Sequence, residues 1–92
     1  MKGDKPVVVD FSATWCGPCK LLLPRLEAAI ANAEDKVDLA KVDIDDLSEL
    51  AMEHRVHALP TILAIKNGEI VDKLIGLQDK DVLASFVSKL RN

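Results

Sequence analysis

Both cysteines and the single tryptophan of the chain lie in one short stretch, Trp15-Cys16-Gly17-Pro18-Cys19. An apolar run over residues 6–11 comes before it, and apolar residues at helical spacing follow it. The stretch is therefore predicted to join the end of a buried strand to the first turn of a helix. A Cys-x-x-Cys pair at such a junction indicates thiol-disulfide chemistry, because the free amides and positive dipole end of the helix favour a thiolate.

The motif WCGPC resembles the active-site motif of thioredoxins, and further matches to that family are Val8-Val9-Asp10-Phe11, Pro24, Lys41-Val42-Asp43, Leu59-Pro60-Thr61, Asn67-Gly68 and Gly76. The resemblance runs from about residue 6 to the C-terminus. The segments AKVDIDD and LPTILAIKNGEIVDK are most similar to the mitochondrial branch of the family in animals. The resemblance implies one thioredoxin-like α/β domain over residues 1–92. It also implies a place in the mitochondrial matrix, with the cytoplasm as the alternative.

Composition agrees with a small globular domain and argues against two classes of partner. The chain is 49% hydrophobic and 29% charged, with a net charge of −3. An acidic balance of this kind argues against binding to nucleic acid or to a membrane surface. No apolar run approaches the roughly 20 residues that a membrane span needs. Two cysteines three positions apart fit a reducing compartment, in which such a pair cycles.

The hydrophobic periodicity predicts strands over residues 6–11, 37–43, 61–66 and 69–75, and helices over 16–33, 47–54 and 79–91. The βαβ unit makes the first two strands parallel, with a right-handed crossover. Asn67-Gly68 predicts a hairpin between the last two strands, and Gly76 ends the edge strand. The resemblance then implies a four-stranded mixed sheet in the order second, first, third, fourth, with helices on both faces (βαβαββα).

Each predicted helix has an apolar face. In the first, which Pro24 should kink, the face is Leu22, Leu26, Ala29, Ile30 and Ala33. Asp45 and Asp46 offer N-caps for the second, whose inner stripe is Leu47, Leu50, Ala51 and His54. Asp79 caps the third, which buries Val82, Leu83, Phe86, Val87 and Leu90.

Asp10 lies inside the first apolar strand. An ionised carboxylate is costly to bury, so its pKa should be raised, unless the residue is simply a strand-end aspartate in water. The resemblance implies that this acid lies beneath Cys19 and helps to move that thiol's proton, through water. Lys41 is either exposed or, as the resemblance implies, a partly buried partner of Asp10 that belongs with it to the catalytic group.

The resemblance implies a protein disulfide reductase, an enzyme in which Cys16 is the nucleophile, Cys19 the resolving thiol and Asp10 the base. The two cysteines would form its redox-active disulfide. Substrate would dock on Trp15, Gly17, Pro18, Leu59, Pro60, Gly76 and Leu77, with an extended segment pairing beside Leu59. The same resemblance implies a cis bond between Leu59 and Pro60.

Electrons would come from NADPH through thioredoxin reductase, and the substrates would be disulfide-containing proteins such as peroxiredoxins, as the resemblance implies. The chain has no Rossmann glycine pattern, and we expect it to bind no cofactor of its own. One alternative is a redox-dependent binding module with little turnover. Another is a metal site, which the spacing disfavours, because His54 and His57 do not stand with the cysteines as zinc ligands do. His57 is expected near the rim of the active site.

Thioredoxins carry another strand and helix before the strand that holds Asp10, and the five residues that precede it here are too few for either. The resemblance is therefore to an N-terminally shortened member of the family. The edge of the second strand would be open, with Val37, Leu39, Val42 and Ile44 along it. Because open edges and uncovered apolar faces invite association, we expect a homodimer or a higher species formed through this edge or the uncovered face. The alternative is a monomer whose short helix and N-terminus shift to cover the gap.

Overall fold

The computed structural model of the chain describes residues 5–46, 48–54 and 56–91. Its elements are β1 (Val7–Ser12), α1 (Gly17–Ala31), β2 (Asp38–Asp43), α2 (Ser48–Glu53), β3 (Thr61–Lys66), β4 (Glu69–Ile75) and α3 (Lys80–Arg91). The predicted order βαβαββα is confirmed. The helix α1 is shorter than predicted at both ends, because Cys16 has the extended backbone of an N-cap and Asn32 caps the other end. Ala33 is buried, as expected, but lies in the turn after α1.

The sheet has four strands in the order β2-β1-β3-β4. The β1–β2 pair is parallel, whereas β1–β3 and β3–β4 are antiparallel. The predicted mixed sheet is therefore confirmed. Asn67 and Gly68 form the β3–β4 turn with φ of 55° and 79°, the positive values that a type I′ hairpin turn requires.

Helices lie on both faces of the sheet. The larger core joins one face to α1 and α3 and consists of Val8, Leu22, Leu26, Ala29, Ala33, Val37, Ile62, Ala64, Leu83, Phe86, Val87 and Leu90. Side chains alternate along a strand, so Asp10 points to the same face as Val8. Phe11 points to the other face, where its ring lies 5.9 Å from that of His54, just beyond α2.

The helix faces follow the predicted periodicity with one exception. Val82 is 40% exposed, because the buried stripe of α3 runs through Leu83, Phe86, Val87 and Leu90 and leaves Val82 beside it. The cap at Asp79 is confirmed, since its Oδ1 accepts a hydrogen bond from the Val82 amide at 3.0 Å. His54, predicted as the last residue of the second helix's inner stripe, lies just beyond α2 but is half-buried against Phe11 as expected. Leu47 and the side chains of Leu50 and Ala51 lie outside the described residues.

The outer edge of the sheet at β2 differs from the prediction. Val37 and Val42 are buried, and Leu39 and Ile44 are half-buried against the two cores, so the expected row of exposed apolar side chains is wrong. The exposed side chains on this strand are charged, and Asp38 pairs with Lys5 at 2.9 Å. Within the described ranges, no helix combines the length and the hydropathy that crossing a membrane requires.

Candidate active site

The two cysteines stand at the start of α1 and are joined by a disulfide, with their Cα atoms 5.3 Å apart. Cys16 is the N-cap of the helix, and the backbone amide of Cys19 donates a hydrogen bond to its Sγ at 3.2 Å. This amide is one of the first-turn groups that lack an intrahelical acceptor. When the pair is reduced, the amide and the helix dipole will stabilise a thiolate on Cys16.

A groove of about 420 Å³ opens beside Cys16. Its walls are Trp15, Cys16, Gly17, Pro18, Ile44, Val56, His57, Ala58 and Leu59. Four of the residues predicted for docking line this groove, namely Trp15, Gly17, Pro18 and Leu59, and His57 lies at the rim as expected. Cys16 and Cys19 are almost equally buried, at 5% and 4% exposure, but only Cys16 contributes to the wall. A partner in the groove therefore meets Cys16 first.

The other three predicted docking residues do not line the groove. Pro60 is buried, and the predicted cis bond between Leu59 and Pro60 is confirmed. Gly76 has φ of 89° and donates its amide to the Pro60 carbonyl at 2.8 Å, so it is tied to the segment that carries Leu59. Leu77 follows with 42% of its surface exposed. Gly76 and Leu77 follow the end of β4, outside the groove, and the docking role of these three residues stays a prediction.

Trp15 is 67% exposed, yet its indole is held in place. Its Nε1 donates a hydrogen bond to Asp45 Oδ2 at 3.1 Å, 30 positions further along the chain. The sequence assigned Asp45 to a helix cap, but α2 begins only at Ser48. An indole N–H usually has a hydrogen-bond acceptor in a folded protein, so the sequence indicated that Trp15 would have one. Nothing in the sequence identified Asp45, rather than a neighbouring residue, as that acceptor.

Asp10 is the buried acid of the site, with 2% of its surface exposed. Its Oδ1 has no hydrogen-bond partner among the described residues. Burial raises the pKa of this carboxyl from 3.8 to about 6, while the charge of Lys41 lowers it and that of Glu27 raises it. The predicted rise in pKa is confirmed, and a group that titrates near neutral pH is suited to accept a proton.

Lys41 lies opposite Asp10 in the β1–β2 register, but its side chain does not pair with that acid. Its Nζ lies 3.2 Å from Glu27 Oε2, on the exposed side of α1, so the expected partly buried Asp10–Lys41 ion pair is wrong. The reason is the cost of desolvation: the long lysine stem can keep its charge in water beside Glu27. Glu27 was not predicted as a site residue, because it stands 14 positions away from Lys41 and no motif marks it.

In the part of the chain that the structure describes, no group of three or more His, Cys, Asp or Glu residues is arranged to hold a metal ion. His54 packs against Phe11, and His57 lines the groove.

A family model described as Thioredoxin matches residues 1–89. The chain is 57% identical over 90 residues to the mitochondrial thioredoxin of Mus musculus. The match covers 98% of this chain and 54% of that protein. It thus spans about half the length of the curated relatives that it matches first.

Two solved structures show the same fold. The thioredoxin of Malassezia sympodialis superposes with a TM-score of 0.87 at 42% identity, over 98% of this chain and 78% of that one. The oxidized form of mitochondrial thioredoxin 3 from Saccharomyces cerevisiae superposes with a TM-score of 0.84 at 36% identity, over 94% of this chain and 79% of that one.

Proposed function

Because the chain belongs to the thioredoxin family, we propose that it reduces protein disulfides through the Cys16–Cys19 pair. One observation carries this proposal. The pair closes a disulfide at the N-terminus of α1, with the Cys19 amide 3.2 Å from Cys16 Sγ, beside a groove that Cys16 lines and Cys19 does not. The site can therefore hold a thiolate and receive a substrate at the same sulfur.

In the proposed reaction, the Cys16 thiolate attacks one sulfur of a substrate disulfide. A mixed disulfide forms, and the other substrate sulfur leaves as a thiolate that takes up a proton. Cys19 then gives its proton to Asp10 and attacks Cys16 Sγ, which releases the second substrate thiolate. Two electrons pass to the substrate, and the Cys16–Cys19 dithiol becomes the disulfide seen in the structure.

The substrate proposed for the groove is an extended segment that holds a cysteine. Its apolar side chains would contact Ile44, Val56 and the exposed ring of Trp15. Its backbone would run beside Leu59 in a short strand-addition mode and continue toward Leu77. The volume of about 420 Å³ suits a few side chains and not a folded surface, so the substrate's disulfide should lie on an accessible loop.

The partners are proposed from the family. Thioredoxins in general work with thioredoxin reductase and disulfide substrates, and we assign this chain the same electron donor, with NADPH as the source. Disulfide-containing proteins such as peroxiredoxins are the proposed substrates. The mitochondrial matrix is the proposed compartment, supported by the mitochondrial relatives in mouse and yeast, with the cytoplasm as the alternative. Fractionation of cells that express the protein distinguishes the two.

Self-association is proposed through the outer edge of β2, whose backbone has no neighbouring strand among the described strands. The charged side chains Asp38 and Lys41 on this edge oppose pairing, so the association should be weak.

A coupled assay tests the reductase proposal. Reduction of a model protein disulfide is followed by NADPH consumption in the presence of thioredoxin reductase. The parent protein should turn over many times, whereas Cys16→Ser should be inactive. Cys19→Ser should accumulate mixed disulfides, because attack still occurs but resolution cannot.

The outcomes separate the alternatives. Full multiple turnover by Cys19→Ser would show that the two cysteine roles are wrongly assigned. A redox-dependent complex with the partner, formed without turnover by the parent protein, would favour the binding module.

A further inference from the structure

Three charged side chains from three elements lie on the α1 side of the sheet. Asp10 comes from β1, Lys41 stands opposite it in the register of β2, and Glu27 comes from α1. The ammonium of Lys41 contacts Glu27 Oε2 at 3.2 Å, while Asp10 Oδ1 has no partner in the described part of the chain. Lys41 thus acts on the pKa of Asp10, but its ammonium pairs with the more exposed carboxylate, that of Glu27.

We propose that Glu27 is a positioning residue, which holds the Lys41 ammonium away from Asp10 and so keeps Asp10 able to accept the proton of Cys19. The electrostatic part of this inference concerns the folded chain alone. Only the proton transfer from Cys19 rests on the proposed reductase function.

The competition between the two carboxylates favours Glu27 for a physical reason. The side chains of Glu27 and Lys41 are 49% and 54% exposed, so their ion pair forms without removing either charge from water. A pair between Lys41 and Asp10 would bring the ammonium toward a carboxyl that is 2% exposed, at the cost of its hydration. When Glu27 is absent, however, the competing carboxylate is lost, and the ammonium is free to turn toward Asp10, on whose pKa its charge already acts.

Two effects of Glu27 on Asp10 have the same sign. Its own negative charge raises the pKa of Asp10, and its hold on Lys41 limits the opposing effect of that cation. Besides burial, only the charges of Lys41 and Glu27 act on the pKa of Asp10 within the described ranges, and its register partner on β3 is the uncharged Ile62. Burial therefore sets most of the rise in the pKa of this acid, and among the described residues Lys41 and Glu27 are the two charges that adjust it.

A purely structural role for this ion pair would be small, because exposed ion pairs contribute little to stability. The chain offers a matched control for that role. Glu34 forms a similar ion pair with Arg91, at 3.5 Å, and its side chain is 75% exposed. Glu34→Gln removes the same charge and also breaks an ion pair, but Glu34 does not act on Asp10.

The direct test is a carbon-13 titration of the Asp10 carboxyl by NMR in the oxidised protein. Glu27→Gln should lower the titration midpoint by about half a pH unit, a modest value because both charges are partly screened by solvent. Lys41→Met should raise the midpoint, Glu34→Gln should leave it unchanged, and Glu27→Asp should restore part of the shift.

The double variant Glu27→Gln/Lys41→Met separates two effects of Glu27: its hold on the Lys41 ammonium and the direct effect of its own charge on the pKa of Asp10. If Glu27 acts by holding Lys41, the Glu27→Gln shift should be clearly smaller when Lys41 is absent. An equal shift with and without Lys41, or no shift beyond that of Glu34→Gln, would overturn the proposal.

A second readout follows the resolving step in single-turnover reduction. The acid limb of its pH profile in Glu27→Gln should move to lower pH by the same amount as the midpoint, and the rate at pH 8 should fall to about half, since a weaker base removes the Cys19 proton. If the midpoint shifts but neither the parent nor any variant reduces a disulfide, the proposed function is contradicted, while the claim that Glu27 holds Lys41 away from Asp10 still stands. A shifted midpoint with an unchanged profile would overturn the link to Cys19.

Discussion

Replacing Asp10 by asparagine should stabilise the protein at neutral pH and not at acidic pH. The folded-state pKa of Asp10 is raised from 3.8 to about 6, so the protonated carboxyl is the form that the folded chain prefers. Stability from this group is fully present below pH 3.8 and is lost as the pH rises through about 6. Asparagine has the shape of the protonated acid and carries no charge at any of these pH values.

The expected size follows from the shift in pKa. The difference between 3.8 and about 6 corresponds to about 3 kcal/mol of free energy of unfolding at pH 8. Asp10 is 2% exposed, so solvent screening reduces this value little. Asp10→Asn should therefore match the parent near pH 4 and gain about 3 kcal/mol by pH 8, with most of the gain developing between about pH 4 and pH 6.5.

Urea unfolding of the oxidised protein at several pH values measures this difference. Asp35→Asn is the control, because it makes the same chemical change on an exposed residue and should give a difference that does not follow this curve. A difference between Asp10→Asn and the parent that is independent of pH would refute the reasoning. So would an Asp10→Asn protein that is less stable than the parent at pH 8.

Three further predictions concern the rim of the site and the sheet edge. Trp15→Phe should keep an aromatic ring but lose the 3.1 Å hydrogen bond to Asp45, so the kcat/KM for protein disulfides should fall several-fold while reduction of a small disulfide changes little. Equal losses for both substrates would contradict a docking role. Gly76→Ala should lower stability by about 1–2 kcal/mol in thermal melts, because φ is 89° and the added methyl meets no atom within 4 Å that would gain from it; an unchanged Tm would contradict this. Sedimentation at rising concentration should reveal a weak dimer, and the charge reversal Lys41→Glu at the β2 edge should change the monomer–dimer equilibrium. A strict monomer at high concentration would rule out association through this edge.

The sequence predicted those features that depend on local pattern. The apolar run before the cysteines, the Asn67-Gly68 turn and the spacing of α3 each involve neighbours within a few residues, and the structure confirms them. The raised pKa of Asp10 was also predictable, because a carboxyl within a buried strand must be desolvated.

Contacts between distant residues were not predictable in the same way. The Trp15–Asp45 hydrogen bond and the Glu27–Lys41 ion pair join residues that no periodicity relates. From the sequence alone, each of these side chains is interpreted as a solvated surface group, because its partner becomes a neighbour only in the folded chain. The exposure of Val82 was missed for a different reason, since helical spacing alone does not decide whether the margin of an apolar stripe is covered.

The cysteine pair and its groove differ in how much of the chain each requires. A single helical turn brings the two sulfurs together, since the pair spans three positions of sequence. The groove, in contrast, takes its walls from the loop after β2 and the segment before β3, which lie roughly 30 to 40 positions further along the chain. A short peptide with the same five residues would keep the two thiols close in sequence but would lose both the helix terminus that favours a thiolate and the groove that binds a substrate. During synthesis the cysteine pair therefore emerges before the residues that complete the groove. Until β3 has joined the sheet, the two thiols are exposed without the surface that selects their substrates.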